Sequence, residues 1–395
     1  MHKFVRSLLT EWRKLRLPVA DKTFVIAVSG GADSMSLAAA LYELRRLEKL
    51  NLRFVIAHFN HDLRGAESDA DELFIRSFAE AFEFELVCGK PENPASKIQN
   101  QAGNLEQNAR IARYDFLLET AENLRAVGVV TAHTLNDQAE TFLLNLIRGS
   151  GLEGLGGMRT IRNLSSERVK ICNDELEDAA QSSERVMSET IEENKQSEVQ
   201  LIRPLLNWAT RERTENFCLE NKIEFRFDSM NENLAYRRVR IRKVLLPMLA
   251  DFNPKIVETL SKTANLLRED FAGLEKSASA SAGNFQSKET SCENVLELKE
   301  LKNLFPSMRR QILREWLKSC RGDLRRLDSK HLEAIENLIT SRKSGRRIEL
   351  PGGAGVVKSG GRLSFENTKV EKTRSDNYNQ RLDSNGAPEA IGNNE

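Results

Sequence analysis

The chain has 395 residues, is 40% hydrophobic, and sets 59 basic against 58 acidic side chains for a net charge of +1. That length holds two or three domains with sizeable cores. The charge balance excludes a chain that binds polyanions over its whole surface, and no apolar run is long enough to span a membrane. The five cysteines, Cys88, Cys172, Cys218, Cys292 and Cys320, stand at long irregular spacings. They read as reduced thiols of a cytoplasmic protein without zinc or an iron–sulfur cluster. The N-terminus mixes Lys3, Arg6, Arg13, Lys14 and Arg16 with leucines, so it lacks the unbroken apolar core of a signal peptide. An amphipathic targeting helix is the alternative there; Glu11 and the early first strand oppose it.

Strand and helix patterns alternate through the first 150 or so residues. Phe24–Val28, Leu52–Ala57, Phe84–Val87 and Val127–Ala132 read as short apolar strands. Between them, Ser34–Leu47, Ser68–Phe82 and Leu105–Asn123 read as helices. The alternation predicts an α/β domain built on a doubly wound parallel sheet. Residues 165–199 are rich in Ser, Glu, Asp, Asn and Gln; Asn173–Val199 alone holds nine acidic and two basic residues. This stretch reads as a disordered acidic insertion inside the first domain. A helix at Thr210–Asn221 and a short strand at Ile223–Phe227 follow. Val239–Leu267 reads as helical with a break near Asn253-Pro254, and the Ser/Ala-rich Phe271–Ser291 as a linker. Leu296–Ile339 carries helical periodicity, and Arg347–Leu350 and Val356–Phe365 read as β elements between Gly-rich turns. The expected organisation is a catalytic domain over 1–235, a helical linker over 236–290, a small α+β module over 291–366 and a disordered tail over 367–395.

Charge is unevenly placed. Tyr236–Lys243 holds five basic residues in eight, and Arg309–Arg347 holds twelve basic and five acidic residues. Such patches suit a polyanionic partner.

Ser29-Gly30-Gly31-Ala32-Asp33-Ser34 lies between the first strand and the first sheet-packed helix. Glycines let backbone approach an anion, and the helix N-terminus aims free N–H groups at it. Ser29 and Ser34 add hydroxyl donors, and Asp33 can hold magnesium or orient the loop. No Gly-Lys-Ser/Thr follows, so the pattern is not a Walker loop. His58-Phe59-Asn60-His61 and Thr131-Ala132-His133 each close a predicted strand on the same sheet edge, where ligands bind in such folds. Each histidine could act as base, hydrogen-bond a base or shield a phosphate, or simply fill a polar gap. Asp137 and Glu140 stand one turn apart at a helix start, placed either to cap it or to face a nucleotide magnesium. Arg148–Met158 is a second glycine-rich loop, either a substrate cover or an interdomain turn. Arg110 and Arg113 share a helix face. Arg237, Arg238, Arg240 and Arg242 cluster near another helix start, suited to phosphate.

Taken in order, these blocks resemble the tRNA(Ile)-lysidine synthetase family of pyrophosphate-loop ATPases. The matching pieces are Ser29–Ser34, the His58–Arg64 block, Arg110/Arg113/Tyr114, His133–Thr141, Arg148–Leu155, Arg203–Leu206, Asp228 with Asn231, and Arg238–Arg242 with Pro247. The resemblance implies an adenine-nucleotide α-hydrolase-like sheet that binds ATP and Mg. It implies ligation of free L-lysine to C2 of the wobble cytidine of a tRNA(Ile) with a CAU anticodon, through an adenylated cytidine. By the same resemblance Ser29, Gly30, Gly31, Ala32, Asp33, Ser34 and His58 hold ATP, and Asp33 and Asp137 hold Mg. Asp33, His133, Asp137 and Glu140 are the candidate catalytic residues. Arg110, Arg113, Arg148, Arg203, Arg238, Arg240 and Arg242 are the candidate tRNA contacts. The oligomeric state stays open, a homodimer included.

The family carries two acids before Gln-Ala-Glu-Thr, and here the first is Asn136. Its Arg-Asn-x-x-Arg reads Arg238-Val239-Arg240-Ile241-Arg242, and its Asp-x-Ser-Asn reads Asp228-Ser229-Met230-Asn231. The rival in the same superfamily is a tRNA thiolase, which also adenylates a base but needs sulfur-carrying cysteines. A non-catalytic nucleotide-sensing RNA-binding protein is the rival from another class, and the intact loop with Asp33 opposes it.

Overall fold

The structure, a computed structural model, describes residues 1–61, 66–91, 105–165, 198–227, 233–282, 294–322, 324, 327–341 and 344–367. The chain divides into two compact units, Met1–Glu269 and Asp270–Glu395.

The first unit is built on six strands: β1 (Ala20–Ala27), β2 (Asn51–Phe59), β3 (Glu85–Gly89), β4 (Gly128–Val130), β5 (Ile161–Asn163) and β6 (Gln200–Ile202). Their order across the sheet is β3-β2-β1-β4-β6-β5. The first five are parallel, and β5 is an antiparallel edge on β6. β1 is central, so its apolar run is buried on both faces. Phe24 and Ile26 point into a core shared with Leu8, Trp12, Leu37, Leu41 and Leu44. Val25, on the other face, packs with Tyr114, Leu117 and Ala121 of the helix Leu105–Asn123. The expected doubly wound α/β sheet is thus the observed one.

The strand order reverses between β1 and β4. Chain segments leaving their carboxyl ends diverge there and open a crevice. The Gly30-Gly31 loop follows β1 and His133 follows β4.

At the N-terminus, Lys3–Lys14 is a helix with Phe4, Val5, Leu8, Leu9 and Trp12 buried along one stripe. Three local differences from the sequence reading have physical causes. Ile223–Phe227 makes no strand; Ile223 is buried, and the Arg226 backbone N–H bonds the Gly30 carbonyl at 2.9 Å instead of a ladder. The Ser/Ala-rich stretch expected as linker continues the helix Ile256–Ala282 as far as Ala282, in keeping with the helix propensity of alanine, and the rest of it lies outside the described residues. The helices expected as a separate 236–290 linker are divided, since up to Glu269 they belong to the first unit. Ile241, Leu246 and Ala264 pack there against Ala139, Phe142 and Leu143. Most of the acidic insertion, Leu63-Arg64-Gly65, Asp228, Asn231, Cys172, Cys292 and residues 368–395 lie outside the described residues.

The second unit carries an antiparallel sheet of order β7-β10-β9-β8: β7 (Val295–Glu297), β8 (Arg346–Leu350), β9 (Ala354–Ser359) and β10 (Arg362–Asn367). Gly360 and Gly361, at φ +56° and +78°, make the tight turn between β9 and β10. The helices Pro306–Arg321 and Ser329–Thr340 pack Leu313, Trp316, Leu317, Ile335 and Ile339 against Val356 and Leu363. This is the expected small α+β module. Among the described residues no helix is long and apolar enough to cross a membrane.

Candidate active site

The loop after β1 is held by its own serines. Ser34 Oγ accepts the Ser29 backbone N–H at 3.2 Å and donates to the Gly31 carbonyl at 3.0 Å. Ser29 Oγ lies 3.3 Å from Ser34 Oγ. Gly30 takes φ +88°, a left-handed turn that L side chains rarely adopt. Gly31 caps the helix Ala32–Arg46, so the first N–H groups of that helix face outward from the loop. The local geometry is that of an anion cradle.

The cradle forms one wall of a cleft of about 360 Å³, whose lining includes Ser29, Asp33, His58, Arg113, His133 and Asp137. That volume suits a nucleotide-sized ligand. Elements spread along the sequence from Ser29 to Asp137 thus meet where the strand order reverses.

The two aspartates are tuned apart. Burial and the Asp137 charge push the Asp33 carboxyl up to about 6, against opposing help from Arg211 and a Thr214 hydrogen bond. Thr214 Oγ1 donates to Asp33 Oδ1, and Arg211 Nε stands 3.7 Å from Asp33 Oδ2. Burial also opposes ionisation of Asp137, but Arg238 and Arg211, with the Thr134 N–H, outweigh it and bring the carboxyl down to about 2. Of the two roles its position allowed, Asp137 fills the cap. Its Oδ2 caps the helix Leu135–Ile147 by accepting the Thr134 N–H at 2.8 Å and the Thr134 hydroxyl at 3.0 Å. Its Oδ1 turns to Arg238 at 3.7 Å and Arg211 at 3.9 Å.

Glu140 is fully buried and committed to arginines. It accepts Arg238 Nε at 2.9 Å and Arg242 Nε at 2.7 Å. In this geometry it holds those arginines and does not face the cleft, which departs from the expectation that it meets magnesium or takes a proton from substrate. Arg238 and Arg242 lie on a helical segment with a π-helical turn at Ile241–Leu245, an irregularity common near functional sites.

His58 lies 5% exposed with Nδ1 2.9 Å from the Val28 carbonyl, so that nitrogen carries the proton. Nε2 is a buried acceptor with no hydrogen-bond partner among the described residues. Burial, against the pull of the Val28 carbonyl, lowers the His58 pKa. Burial and then Arg203 hold His133 well below the usual imidazole range, and Thr131 Oγ1 lies 2.9 Å from its Nδ1. Both rings are neutral at pH 7 and offer hydrogen bonds, not charge.

The candidate tRNA arginines scatter. Arg148 and Arg240 are exposed. Arg110 and Arg113 lie on the helix Leu105–Asn123 with both guanidiniums within 6 Å of the Tyr114 ring (5.9 and 5.5 Å), and Arg113 lines the cleft. Arg203 is fully buried and donates to the Arg159 carbonyl at 2.8 Å, so in this fold it has no surface to offer RNA.

Sequence reasoning missed Arg211, Thr214 and Gln138. Arg211 and Thr214 sit on the helix Arg211–Glu220, whose chemistry carries no motif and which only the fold brings to Asp33. Gln138 is buried and takes the Met158 N–H at 2.8 Å while donating to the Met158 carbonyl at 3.3 Å. Arg268 adds bonds to the Gly156 and Met158 carbonyls at 3.0 and 2.6 Å. The second glycine loop is therefore tied down at its far end. Gly157, at φ +62°, has no room for a Cβ beside the Gln138 side chain.

The donor set fits a magnesium ion carried in by a nucleotide. Asp33 and Asp137 supply two hard oxygen donors; among the described residues no group of three metal ligands stands together, and phosphate oxygens would complete the shell. The buried, proton-hungry Asp33 carboxyl is a group that a cation would relieve.

A PP-loop domain family matches residues 3–249, and a TilS substrate binding domain family matches residues 296–364. The chain is 32% identical over 341 residues to the tRNA(Ile)-lysidine synthase of Dehalococcoides mccartyi, covering 86% of this chain and 65% of that relative. It is 30% identical over 359 residues to that of Synechocystis sp., covering 90% of this chain and 94% of the relative. It thus spans about two thirds of the length of the first of these and nearly all of the second. In fold it is similar to the U34-tRNA thiolase NcsA from Methanococcus maripaludis, with a TM-score of 0.50, 15% identity, and coverage of 67% of this chain and 80% of that one. A PP-loop domain with its cradle at the switch point, a TilS substrate binding domain later in the sequence and this length of shared sequence agree: the chain belongs to the tRNA(Ile)-lysidine synthase family.

Proposed function

We propose that this protein uses ATP to activate the wobble cytidine of a CAU-anticodon tRNA(Ile) and then joins L-lysine to C2 of that base, releasing AMP and pyrophosphate. The observation that carries the reading is the meeting of the Ser29–Ser34 cradle with Asp33 and Asp137 in one nucleotide-sized cleft. An amine cannot displace oxygen from a pyrimidine until that oxygen is made a leaving group. Attack of the cytidine O2 on the α-phosphate breaks the bond to the β-phosphate and does this.

The residues divide the work. The Ser29 and Ser34 hydroxyls and the helix N–H groups stabilise the departing pyrophosphate. Asp33 and Asp137 would hold magnesium, which when bound neutralises phosphate charge. Arg113 lies where a guanidinium can meet a phosphate oxygen. His58 Nε2 and the neutral His133 ring supply hydrogen bonds to nucleotide or base. In the second step, after pyrophosphate has left, Asp137, ionised at any working pH, offers the same Oδ1 to the lysine ammonium. Arg148 and Arg240, both exposed, are candidate contacts for the tRNA backbone, and the second unit is the further candidate for gripping tRNA.

The test is incubation of the protein with ATP, radiolabelled lysine and a tRNA bearing CAU. Lysine incorporation with stoichiometric AMP supports the reading. Pyrophosphate release without incorporation would point to another acceptor chemistry, and neither product would sink the proposal.

A further inference from the structure

Three carboxylates and three guanidiniums converge behind the cradle: Asp33, Asp137 and Glu140 with Arg211, Arg238 and Arg242. The three cations are held differently. Arg238 and Arg242 make hydrogen-bonded pairs with Glu140 at 2.9 and 2.7 Å. Arg211 instead stands 3.7 Å from Asp33, 3.9 Å from Asp137 and 3.8 Å from Glu140. It is shared among all three and within hydrogen-bond distance of none. Its side chain is 27% exposed, whereas the Glu140 side chain that anchors the other two is 0% exposed.

Only the backbone of Arg211 is fixed. Asn136 Oδ1 accepts its N–H at 2.9 Å, and Thr210 caps the same helix by accepting the Arg213 N–H at 3.3 Å. The guanidinium is therefore free to swing on an anchored base. Two of its three neighbours, Asp33 and Asp137, are the carboxylates that fit a divalent cation. One cation cannot share that space with another at full strength, because like charges a few ångströms apart repel by several kcal/mol at protein-like dielectric, on the order of 332/(εr).

We propose that Arg211 is a placeholder cation: it neutralises Asp33 and Asp137 before nucleotide arrives, yields them to the incoming divalent ion and turns to a phosphate oxygen of the nucleotide. This rests on the nucleotide reading above. The exchange keeps the carboxylates assembled without leaving buried charge uncompensated, and it delays full metal affinity until phosphates are there to receive the guanidinium. A purely structural ion pair has no such consequence, since its loss weakens the fold and does not strengthen ion binding.

The deciding experiment measures Mn²⁺ binding to the full chain without nucleotide, by electron paramagnetic resonance, in the parent and in Arg211→Gln. The expected result is that the variant, folded by circular dichroism, binds Mn²⁺ at least about tenfold more tightly. Equal or weaker binding overturns the inference. Should the variant fail to fold, structures of the parent with and without Mg²⁺ and a non-hydrolysable ATP analogue decide it. Arg211 is expected to leave both aspartates for a phosphate oxygen, and a guanidinium that stays within about 4 Å of both overturns the inference. Calorimetry of the parent with the analogue stands apart from this. Absence of nucleotide binding sinks the ATP reading, while the Mn²⁺ comparison still settles Arg211.

Discussion

Asn136 and Arg211, 75 residues apart in sequence, are joined by one hydrogen bond: the Asn136 side-chain oxygen accepts the Arg211 backbone N–H at 2.9 Å. The bond satisfies one of the free donors at the start of the helix Arg211–Glu220 and ties that helix to the start of Leu135–Ile147. An acid at position 136 could make the same bond, so the asparagine keeps the geometry and gives up only the charge. Asn136→Ala is expected to lose about 1 kcal/mol in urea unfolding, while Asn136→Asp holds or raises stability. Equal losses in both variants would show that the bond contributes nothing.

Asp33 carries a stability cost once it ionises. Its carboxyl is raised from 3.8 to about 6 in the folded chain. The stability from its protonated form is complete below pH 3.8 and is lost as the pH rises through 6. Asp33→Asn removes that loss, so at pH 8 the variant is expected to be more stable by about 2 kcal/mol. It should also release pyrophosphate at least about 100-fold more slowly. Binding of Mg·ATP to the parent, which needs the ionised carboxylate, should strengthen as the pH rises through about 6. Calorimetry at pH 5 and pH 8 checks the direction.

Glu140 compensates two guanidiniums while fully buried. Glu140→Ala removes the carboxylate to which both are hydrogen-bonded and should cost about 3 kcal/mol. Denaturant unfolding of Glu140→Ala, Arg242→Ala and the double variant forms a cycle. A coupling energy near zero would contradict the pairing.

In the second unit Lys358 ends in carbonyls, not solvent. Its Nζ donates to Leu338 O at 2.9 Å and Ile339 O at 3.2 Å, and also to Ser341 O. These are the last acceptors of the helix Ser329–Thr340 and of the residue after it, so β9 closes the helix by a charge. Lys358→Met should destabilise this unit by about 2 kcal/mol, seen as faster hydrogen exchange over 338–341. Unchanged exchange there would refute the capping role.

The sheet was legible because each early strand is a short apolar run between helices of the right length, and because β1, buried on both faces, needs no alternation. The cradle was legible because its chemistry is local: Ser34 bonds both Ser29 and Gly31. Arg211 and Thr214 were not, since their meaning exists only once Arg211–Glu220 folds against Asp33, 181 residues away from Thr214 in sequence. Glu140 was misread for a similar reason. Spacing put it one turn from Asp137, but nothing in the local sequence says that Arg238 and Arg242 return to cover it. Arg203 shows the limit of reading charge as exposure, for its guanidinium lies wholly inside.

The antiparallel edge of the sheet has a consequence for how this chain tolerates change. Asn163 on β5 is paired with Gln200 on β6, and the Leu164 N–H bonds the Val199 carbonyl at 2.9 Å. The two ends of the intervening stretch are thus stitched together at a single seam. Closing a longer or shorter excursion there shifts free energy only logarithmically with its length, about 0.6 kcal/mol per doubling. The seam is a port at which residues can be added or removed while the cradle on the far side of β4 stays as it is.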